Sequence, residues 1–205
     1  MSRLLVATRN RGKQAEFRSL LAPLKRELCF PDDIGIVESP DEEGLEIHET
    51  FAANARAKAE WFRDRAGLDA LADDSGLEVD ALFGAPGVRS KRFAGAVGPD
   101  ESLTERNIAE LLQRLRGVPA SGRAARFRCV LVLSPSGGEG GEIVTEGTVE
   151  GRILESPDGE SGFGYDPVFW STELGVAFGG VSSDVKATVS HRGRAVASLV
   201  KALRG

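Results

Sequence analysis

Four polar segments of this 205-residue chain carry the residue types that phosphate, metal and base chemistry require. They are residues 8–13 (TRNRGK), residues 38–49 (ESPDEEGLEIHE), residues 73–76 (DDSG), and residues 162–167 (GFGYDP) taken with Lys186 and residues 190–192 (SHR). Each segment alone also fits an ordinary turn, a solvated surface or a piece of core. Their combination is what indicates a function.

Residues 8–13 contain no apolar residue and lie between a predicted strand and a predicted helix. The backbone N–H groups at a helix start have no partner within the helix and attract anions. Together with Lys13 they form a natural phosphate cradle. A capped turn with a solvated lysine is the alternative that this segment leaves open.

Asp73 and Asp74 follow a predicted short strand, residues 70–72, and we expect Ser75 and Gly76 to turn the chain away. Two adjacent acids on an apolar segment point in different directions, so one can ligate a hard cation while the other acts as a base or supports it. Mg²⁺ prefers one or two carboxylates plus waters and substrate phosphates. A β-turn with an aspartate cap is the alternative.

Residues 38–49 hold six carboxylates, most of which we expect to form a solvated face. One or two of them can complete a metal site with Asp74. Because an acidic cluster repels a bare polyphosphate, a phosphate substrate here has to arrive with a cation. The six are Glu38, Asp41, Glu42, Glu43, Glu46 and Glu49.

The fourth set fits a pocket for a flat heterocycle. The glycines of residues 162–167 permit close backbone approach, and Phe163 or Tyr165 can stack on a base. Asp166, His191 and Arg192 can hydrogen-bond to a base edge. Core packing of the two aromatic side chains is the alternative.

A phosphate cradle, a cation site and a base-sized pocket together indicate a nucleoside-triphosphate hydrolase. The chain has no GxxxxGK[ST], so it is not a P-loop NTPase. It also lacks a GxGxxG after a strand and a GxSxG elbow, so neither a dinucleotide-binding fold nor a serine hydrolase is supported.

Alternating strands and helices must position these segments. Periodicity and turn residues predict strands at 3–7, 34–37, 70–72, 127–133 and 142–149, helices around 17–24, 50–67, 103–115 and 195–203, loops at 83–99 and 156–164, and a hairpin connection at 136–141. Thr50 is the predicted cap of the second helix and Gly67 its stop. We therefore expect a single α/β domain over residues 1–205, with a mixed sheet flanked by helices and two lobes around a substrate cleft.

Composition narrows the class further. Lys and Arg number 26 against 31 Asp and Glu, so the net charge of −5 disfavours nucleic acid as a partner. The two cysteines are far apart and there are only two histidines, which excludes a Cys- or His-rich zinc site and a disulfide framework. No apolar run approaches 18 residues, and we expect a cytoplasmic protein with no membrane partner.

Five motifs in chain order resemble those of the inosine/xanthosine triphosphate pyrophosphatase family, which acts on non-canonical purine nucleotides. They are T-x-N-x-x-K at 8–13, TFxxNAxxKA at 50–59, ADDSGL with GxPGxxS at 72–77 and 84–90, GFGYDP at 162–167, and SHR at 190–192. The resemblance runs over nearly the whole chain. Any one motif is weak, whereas five in order are specific.

The resemblance implies hydrolysis of ITP, dITP or XTP to the monophosphate and pyrophosphate with Mg²⁺, by a homodimer with a long mixed twisted sheet. It makes Asp74 the general base and a metal ligand. It assigns the triphosphate to Thr8, Arg9, Asn10, Arg11, Gly12 and Lys13, assisted by Ser75 and Lys186. It assigns the purine to Phe163, Gly164, Tyr165, Asp166, His191 and Arg192.

The second metal carboxylate stays ambiguous in the sequence. The family's acid lies in an E-x-x-G stretch before TFxxNA, but Gly44 here is six residues before Thr50. Counting back from Gly44 indicates Asp41, with Glu42 beside it. Counting back from Thr50 indicates a position nearer Glu46.

Three other interpretations compete with this one. A related pyrophosphatase acting on pyrimidine or modified nucleotides would share the catalytic residues and differ in the base pocket. A binding module would hold nucleotide or nucleic acid without turnover. A purely structural domain would leave the four polar segments without a purpose.

Overall fold

A mixed β-sheet organises the computed structural model, which describes residues 2–95, 100–137 and 141–204, the side chains of Asp100 and Glu101 excepted. Within those residues the strands are β1 (Arg3–Val6), β2 (Glu27–Cys29), β3 (Ala70–Val79), β4 (Ala124–Ser134), β5 (Ile143–Ile153), β6 (Phe169–Ser171) and β7 (Val176–Ala177). They form one seven-stranded sheet in the order β2-β1-β3-β4-β5-β6-β7. β1 pairs in parallel with β2 and β3, whereas β6 pairs antiparallel with β5 and β7.

The α-helices of the described residues are α1 (Arg11–Leu20), α2 (Phe51–Ala66), α3 (Asp100–Arg114), α4 (Ser183–Val189) and α5 (His191–Ala202). Short 3-10 segments lie between them, among others at Pro31–Ile34, Pro40–Glu46 and Gly87–Arg92. The predicted α/β class with a mixed sheet flanked by helices is confirmed. No helix in the described part of the chain combines the length and apolarity needed to cross a membrane.

The predicted limits of α2 are confirmed. The Thr50 side chain accepts a hydrogen bond from the Ala53 N–H at 3.2 Å, which satisfies one of the unpaired donors at the helix start. Gly67 ends the helix in the left-handed conformation, with φ +64°, where a residue without Cβ is unstrained. The cap and the stop therefore fix where α2 begins and ends, and with that which of its side chains share a face.

Three predictions of secondary structure are wrong. The first helix, predicted around residues 17–24, spans Arg11–Leu20, because its polar first turn carries no apolar periodicity. Residues 34–37 do not form a strand, because Pro31–Ile34 closes a 3-10 turn whose Asp33 side chain accepts the Phe30 N–H. β3 does not end at Ala72 but runs to Val79, so residues 73–76 lie within a strand and not in a turn. Pairing inside a sheet overrides the low strand preference of Asp and Gly.

Two predicted loops lie partly outside the described residues. These are the hairpin connection at 136–141, in which residues 138–140 are not described, and the loop at 83–99, in which residues 96–99 are not described.

Two compact units divide the chain. Unit 1 comprises Met1–Asp74, Cys129–Gly147 and Arg192–Gly205, and unit 2 comprises Ser75–Arg128 and Thr148–His191. The single domain and the substrate cleft that the sequence predicts stay predictions.

Unit 1 buries two separate apolar clusters. Leu4 and Val6 of β1 belong to one cluster, and Leu5 between them belongs to the other. Alternate residues of a strand point to opposite faces, so β1 is covered on both sides. That burial is typical of the central strands of a parallel sheet.

Unit 2 has one core cluster with an aromatic centre. The ring of Phe127 lies 4.6 Å from that of Phe169 and 6.2 Å from that of Phe178, centroid to centroid. The buried Arg123 guanidinium donates to three backbone carbonyls near the end of α3 and after β5, those of Leu115, Val118 and Leu154. Each unit therefore has its own packed interior.

Candidate active site

Asp73 is the centre of a buried charge network in unit 1. Its carboxylate is fully inaccessible and pairs with Lys13 Nζ at 3.0 Å and Arg192 Nη2 at 3.0 Å. Burial alone would raise the pKa of Asp73, but the charges of Lys13, Arg192 and Lys58 outweigh it and hold that pKa well below its usual range. Asp73 is therefore a permanent anion that orients two cations.

Asp74 is the next residue of β3, so its side chain leaves the opposite face of the strand. Asn54 Nδ2 donates to Asp74 Oδ2 at 2.8 Å. Burial raises the pKa of Asp74 and the negative charge of Glu46 adds to the rise, against the opposing charges of Lys58 and Lys13. Asp74 is thus the acid of this cluster that binds a proton most readily.

Glu46 and Lys58 form the second ion pair beside the aspartates. Lys58 Nζ contacts Glu46 Oε1 and donates to the backbone carbonyl of Asp73 at 2.6 Å. The charge of Lys58 lowers the pKa of Glu46 to about 2. Burial would lower the pKa of Lys58, but Glu46, Asp73 and Asp74 together raise it, so the ammonium persists.

Helix α2 supplies two of these side chains from one face. Asn54 and Lys58 are four residues apart, and residues at that spacing lie above one another on a helix. Asn54 is fully buried, accepts the His48 N–H at 2.8 Å through Oδ1 and donates to the His48 carbonyl at 3.3 Å. It therefore joins the end of the acidic stretch to Asp74.

Residues 8–10 lie between β1 and α1 as predicted, whereas residues 11–13, predicted as part of the same loop, already belong to the first turn of α1. Asn10 Oδ1 accepts the Lys13 N–H at 2.9 Å and caps the helix, while Thr8 Oγ1 accepts the Asn10 N–H at 3.3 Å. Arg11 and Gly12 begin the first turn of α1. The Arg9 guanidinium is engaged by Glu42, Asp32 and the Ile36 carbonyl, so its predicted contact with phosphate stays a prediction.

The structure distinguishes the three carboxylates considered for the second metal ligand. Asp41 is 71% exposed and lies 3.7 Å from Arg65, and Glu42 pairs with Arg9. The charge of Glu46 is one of the main causes that raise the pKa of Asp74. The contacts thus favour Glu46, although the described residues contain no preassembled group of three or more His, Cys, Asp or Glu that could hold a metal ion.

In unit 2 Phe163 and Asp166, which were predicted to bind the base, contact Lys186, which was predicted to assist with the triphosphate. The buried Asp166 carboxylate accepts the Phe163 N–H at 2.8 Å and the Lys186 ammonium at 2.6 Å. Lys186 Nζ lies 4.7 Å from the centre of the Phe163 ring, within range of a cation–π contact. An ammonium group and an aromatic face are thus held together.

The other predicted base residues have core contacts. The buried Tyr165 donates its hydroxyl to the Ser90 carbonyl at 2.9 Å, and the His191 ring stacks on Phe127 at 4.9 Å. Arg192 belongs to unit 1, where Asp73 and Glu16 hold its guanidinium. Ser75 is half-buried on β3, and Gly164 has φ +62°.

Sequence reasoning does not select Asn54, Lys58 or Glu16 as site residues. The first two stand in the TFxxNAxxKA motif at helical spacing, which is the signal that identifies them in retrospect. Asp73 is predicted as one of two adjacent acids that ligate or support a cation, and only the family resemblance assigns the catalytic role to Asp74. Glu16 lies on the polar side of α1 and carries no signal in the sequence.

The sequence profile of the Ham1 family matches residues 4–202. The chain belongs to the Ham1 family. Among its relatives, the dITP/XTP pyrophosphatase of Photobacterium profundum is 44% identical over 204 residues, covering 100% of this chain and 99% of the relative. The dITP/XTP pyrophosphatase of Geobacter sulfurreducens is 44% identical over 199 residues, covering 97% and 95%.

Solved structures of Ham1 proteins share the fold. A HAM1 protein from Coxiella burnetii has a TM-score of 0.84 at 33% identity, and the Staphylococcus aureus Ham1 protein has 0.81 at 34% identity. Each comparison covers 100% of this chain and 99% of the other. The family resemblance predicted from five motifs is confirmed.

Proposed function

We propose that this Ham1-family protein hydrolyses the non-canonical purine nucleotides ITP, dITP and XTP to the monophosphate and pyrophosphate, and so removes them from the nucleotide pool. The observation that carries the proposal is the cluster of Asp73, Asp74 and Glu46 with Lys13 and Lys58, in which the two lysines pair with Asp73 and Glu46. It combines a carboxylate with a raised pKa, cations for phosphate oxygens and a helix start. The names of the relatives, dITP/XTP pyrophosphatases, support the same reaction.

Asp74 acts as the general base in this proposal. It takes a proton from a water that attacks the α-phosphorus, and the bond from that phosphorus to the bridging oxygen of pyrophosphate breaks. A base is most effective when its pKa approaches the working pH, and burial moves the pKa of Asp74 in that direction. The hydrogen bond from Asn54 orients the carboxylate.

Mg²⁺ fits the donor set of this cluster. Asp74 and Glu46 offer carboxylate oxygens, the ligands that Mg²⁺ prefers, and the charge of Glu46 raises the pKa of Asp74, a repulsion that a shared cation would relieve. When bound, the metal would neutralise negative charge on the phosphoryl oxygens. Asp74 and Glu46 are therefore the residues we assign to it.

The triphosphate is assigned to residues 8–13, with Ser75 assisting. Lys186, which the family resemblance also assigns to the triphosphate, is assigned here to the base because it contacts the Phe163 ring. Lys13 reaches phosphate oxygens as an ammonium that Asp73 keeps oriented, and the N–H groups of the first turn of α1 stabilise the leaving pyrophosphate. Because Asp73 stays ionised, Lys13 keeps its position between turnovers.

The base is assigned to the Phe163, Asp166 and Lys186 group of unit 2. The Phe163 ring stacks on the purine, and the Lys186 ammonium, held by Asp166, donates to the 6-oxo group. Adenine carries an amine at that position, so a donor would face a donor, which disfavours ATP. By family resemblance we also propose a homodimer that acts in the cytoplasm.

The test is an endpoint assay with purified protein and Mg²⁺, in which ITP, XTP, GTP, ATP and dTTP are offered separately and pyrophosphate is scored against orthophosphate. We expect pyrophosphate from ITP and XTP and little from ATP. Pyrophosphate mainly from dTTP would overturn the base assignment and keep the catalytic residues. Orthophosphate alone would contradict attack at the α-phosphorus, and binding without product would favour a binding module.

A further inference from the structure

Arg9 makes an unusually complete set of contacts within unit 1. Its Nε donates to Glu42 Oε2 at 2.8 Å, and its Nη2 donates to Glu42 Oε1 at 2.8 Å and to the Ile36 carbonyl at 2.9 Å. Its Nη1 pairs with Asp32. Four of its five N–H groups are thereby used, and the Arg9 and Glu42 side chains are only 18% and 16% exposed.

Glu42 and Glu46 belong to the same short 3-10 segment, Pro40–Glu46. Ser39 and Glu42 close the start of that segment, since the Ser39 side chain accepts the Asp41 N–H and Glu42 Oε1 accepts the Ser39 N–H. Leu45 is buried in the apolar cluster of unit 1 that also contains Leu5. The first turn of the segment thus depends on Glu42, and its last residue is the acid beside Lys58.

We propose that Arg9 is a positioning residue whose ion pair with Glu42 fixes the segment Pro40–Glu46 and thereby holds the Glu46 carboxylate beside Asp74 for the metal-bound substrate. This rests on the proposed function for the role of Glu46, whereas the clamping of the segment does not depend on it. A planar guanidinium that donates in two parallel hydrogen bonds restricts its partner more than a single contact does.

The competing role for Arg9 is direct contact with phosphate, as its place in residues 8–13 suggests. The two roles predict different partners. A clamp requires Glu42, so removal of either side chain should give the same defect and removal of both should add little. A phosphate ligand requires only Arg9, and removal of Glu42 would then release the guanidinium for substrate.

The experiment compares Arg9→Gln, Glu42→Gln, the double variant and Arg9→Lys in the full chain. The control is Arg56→Gln, which removes another two-pronged arginine–glutamate pair of unit 1, with Glu142, away from the segment. Two readouts are measured on each protein. One is amide hydrogen exchange in peptides spanning residues 36–47, and the other is steady-state ITP hydrolysis as a function of Mg²⁺ and of ITP separately.

We expect Arg9→Gln and Glu42→Gln each to speed exchange at residues 36–47 by about tenfold or more, since local opening costs less free energy. Both should raise the Mg²⁺ concentration for half-maximal activity by about five- to tenfold, with kcat changed less at saturating Mg²⁺, as for coupling between groups in contact. The double variant should resemble either single one, and Arg9→Lys should recover part of the loss. Arg56→Gln should change neither readout.

Three results would overturn the proposal. Unchanged exchange at residues 36–47 means that Leu45 and Lys58 fix the segment without Arg9. Faster exchange with an unchanged Mg²⁺ requirement means that the clamp does not reach Glu46. A raised KM for ITP in Arg9→Gln alone, with Glu42→Gln normal, means that Arg9 is a phosphate ligand. If no triphosphate is hydrolysed by the unaltered protein, the proposed function fails, and the exchange measurement still decides the clamp.

Discussion

Asp73 and Asp74 are neighbours in sequence whose carboxylates have opposite pKa shifts. Their side chains leave opposite faces of β3. Asp73 pairs with Lys13 and Arg192. Asp74 accepts a hydrogen bond from Asn54, and the negative charge of Glu46 raises its pKa. A pair of acids with separated pKa values is how one site divides its roles between a fixed anion and a group that exchanges protons. The division follows from strand geometry alone.

The Asp74→Asn variant tests that division. It keeps the shape of the side chain and removes the charge, so we expect pyrophosphate release from ITP to fall by about 10²- to 10⁴-fold, the usual contribution of a general base, or more if the metal is lost as well. Stability should hold or increase, since burial disfavours the charged form of Asp74. Activity and thermal unfolding are measured on the same preparations, with the exposed Asp64→Asn as control.

Asp73→Asn should show the opposite pattern. It leaves Arg192 and Lys13 without their buried counter-charge, and breaking such a pair costs about 3–5 kcal/mol. Near-normal turnover in Asp74→Asn would contradict its role as the base, and an unchanged stability in Asp73→Asn would contradict its role as the fixed anion.

The sequence predicts some residues of the proposed site and not others for a physical reason. Lys13, Asp74 and Asp166 stand in compact motifs whose chemistry is local. The partners of Arg9 and Arg192 are not local, since Asp73 is 119 residues from Arg192 and Glu42 is 33 from Arg9. Ion pairs over such separations form only after the chain folds. The motifs alone therefore predict that both arginines bind substrate, because they do not reveal the carboxylates of the protein that hold them.

At the scale of the element, the turn at residues 162–166 depends on a glycine with no space around it. Gly162 has φ +79°, and a Cβ there would meet the Asp166 carboxylate. Gly164 has φ +62°, but a Cβ there would have nothing within 4 Å. Two glycines of one turn thus differ only in what surrounds them.

Alanine substitutions exploit this difference. Both Gly162→Ala and Gly164→Ala force a left-handed backbone on a residue with Cβ, at about 1–2 kcal/mol. Only Gly162→Ala also displaces Asp166, the partner of Lys186, so we expect it alone to raise the KM for ITP, by about 10- to 100-fold as for misplaced substrate contacts. The measurements are the ITP kinetics and the unfolding temperatures of both variants. Equal KM values in Gly162→Ala and Gly164→Ala would exclude Asp166 from base recognition.

Periodic elements were predictable from sequence, and those set by pairing were not. The cap at Thr50 and the stop at Gly67 are local and were correct. The predicted β3 is too short because Asp and Gly, here Asp73 and Gly76, have a low strand preference. Pairing with the neighbouring strands of the sheet nevertheless stabilises the strand as far as Val79. The strands β6 and β7 and the helix α4 are short, and they leave no readable pattern.

At the scale of the molecule, the three acids of the candidate site whose pKa values are shifted all lie in unit 1. They are Glu46, Asp73 and Asp74. A lowered pKa of an acid contributes stability that is fully present above its unfolded value and is lost as the pH falls through the folded value. Glu46 and Asp73 have this sign, whereas the raised pKa of Asp74 has the opposite one.

The stability of unit 1 should therefore fall on acidification, with Glu46 acting between its ordinary pKa of 4.5 and its folded value of about 2. In Glu46→Gln we expect a loss of about 1–3 kcal/mol at neutral pH, as for a charged hydrogen bond. This gap should close as the pH falls toward about 2, where Glu46 is protonated in the unaltered protein too. Urea unfolding from pH 7 to pH 2, followed by the fluorescence of Trp61 in a Trp170→Phe background, measures this difference in stability for unit 1.

The exposed Glu60→Gln on α2 is the control for the lost charge and should show little difference at any pH. A Glu46→Gln gap that stays constant with pH would mean that the Glu46–Lys58 pair contributes through packing and not through charge.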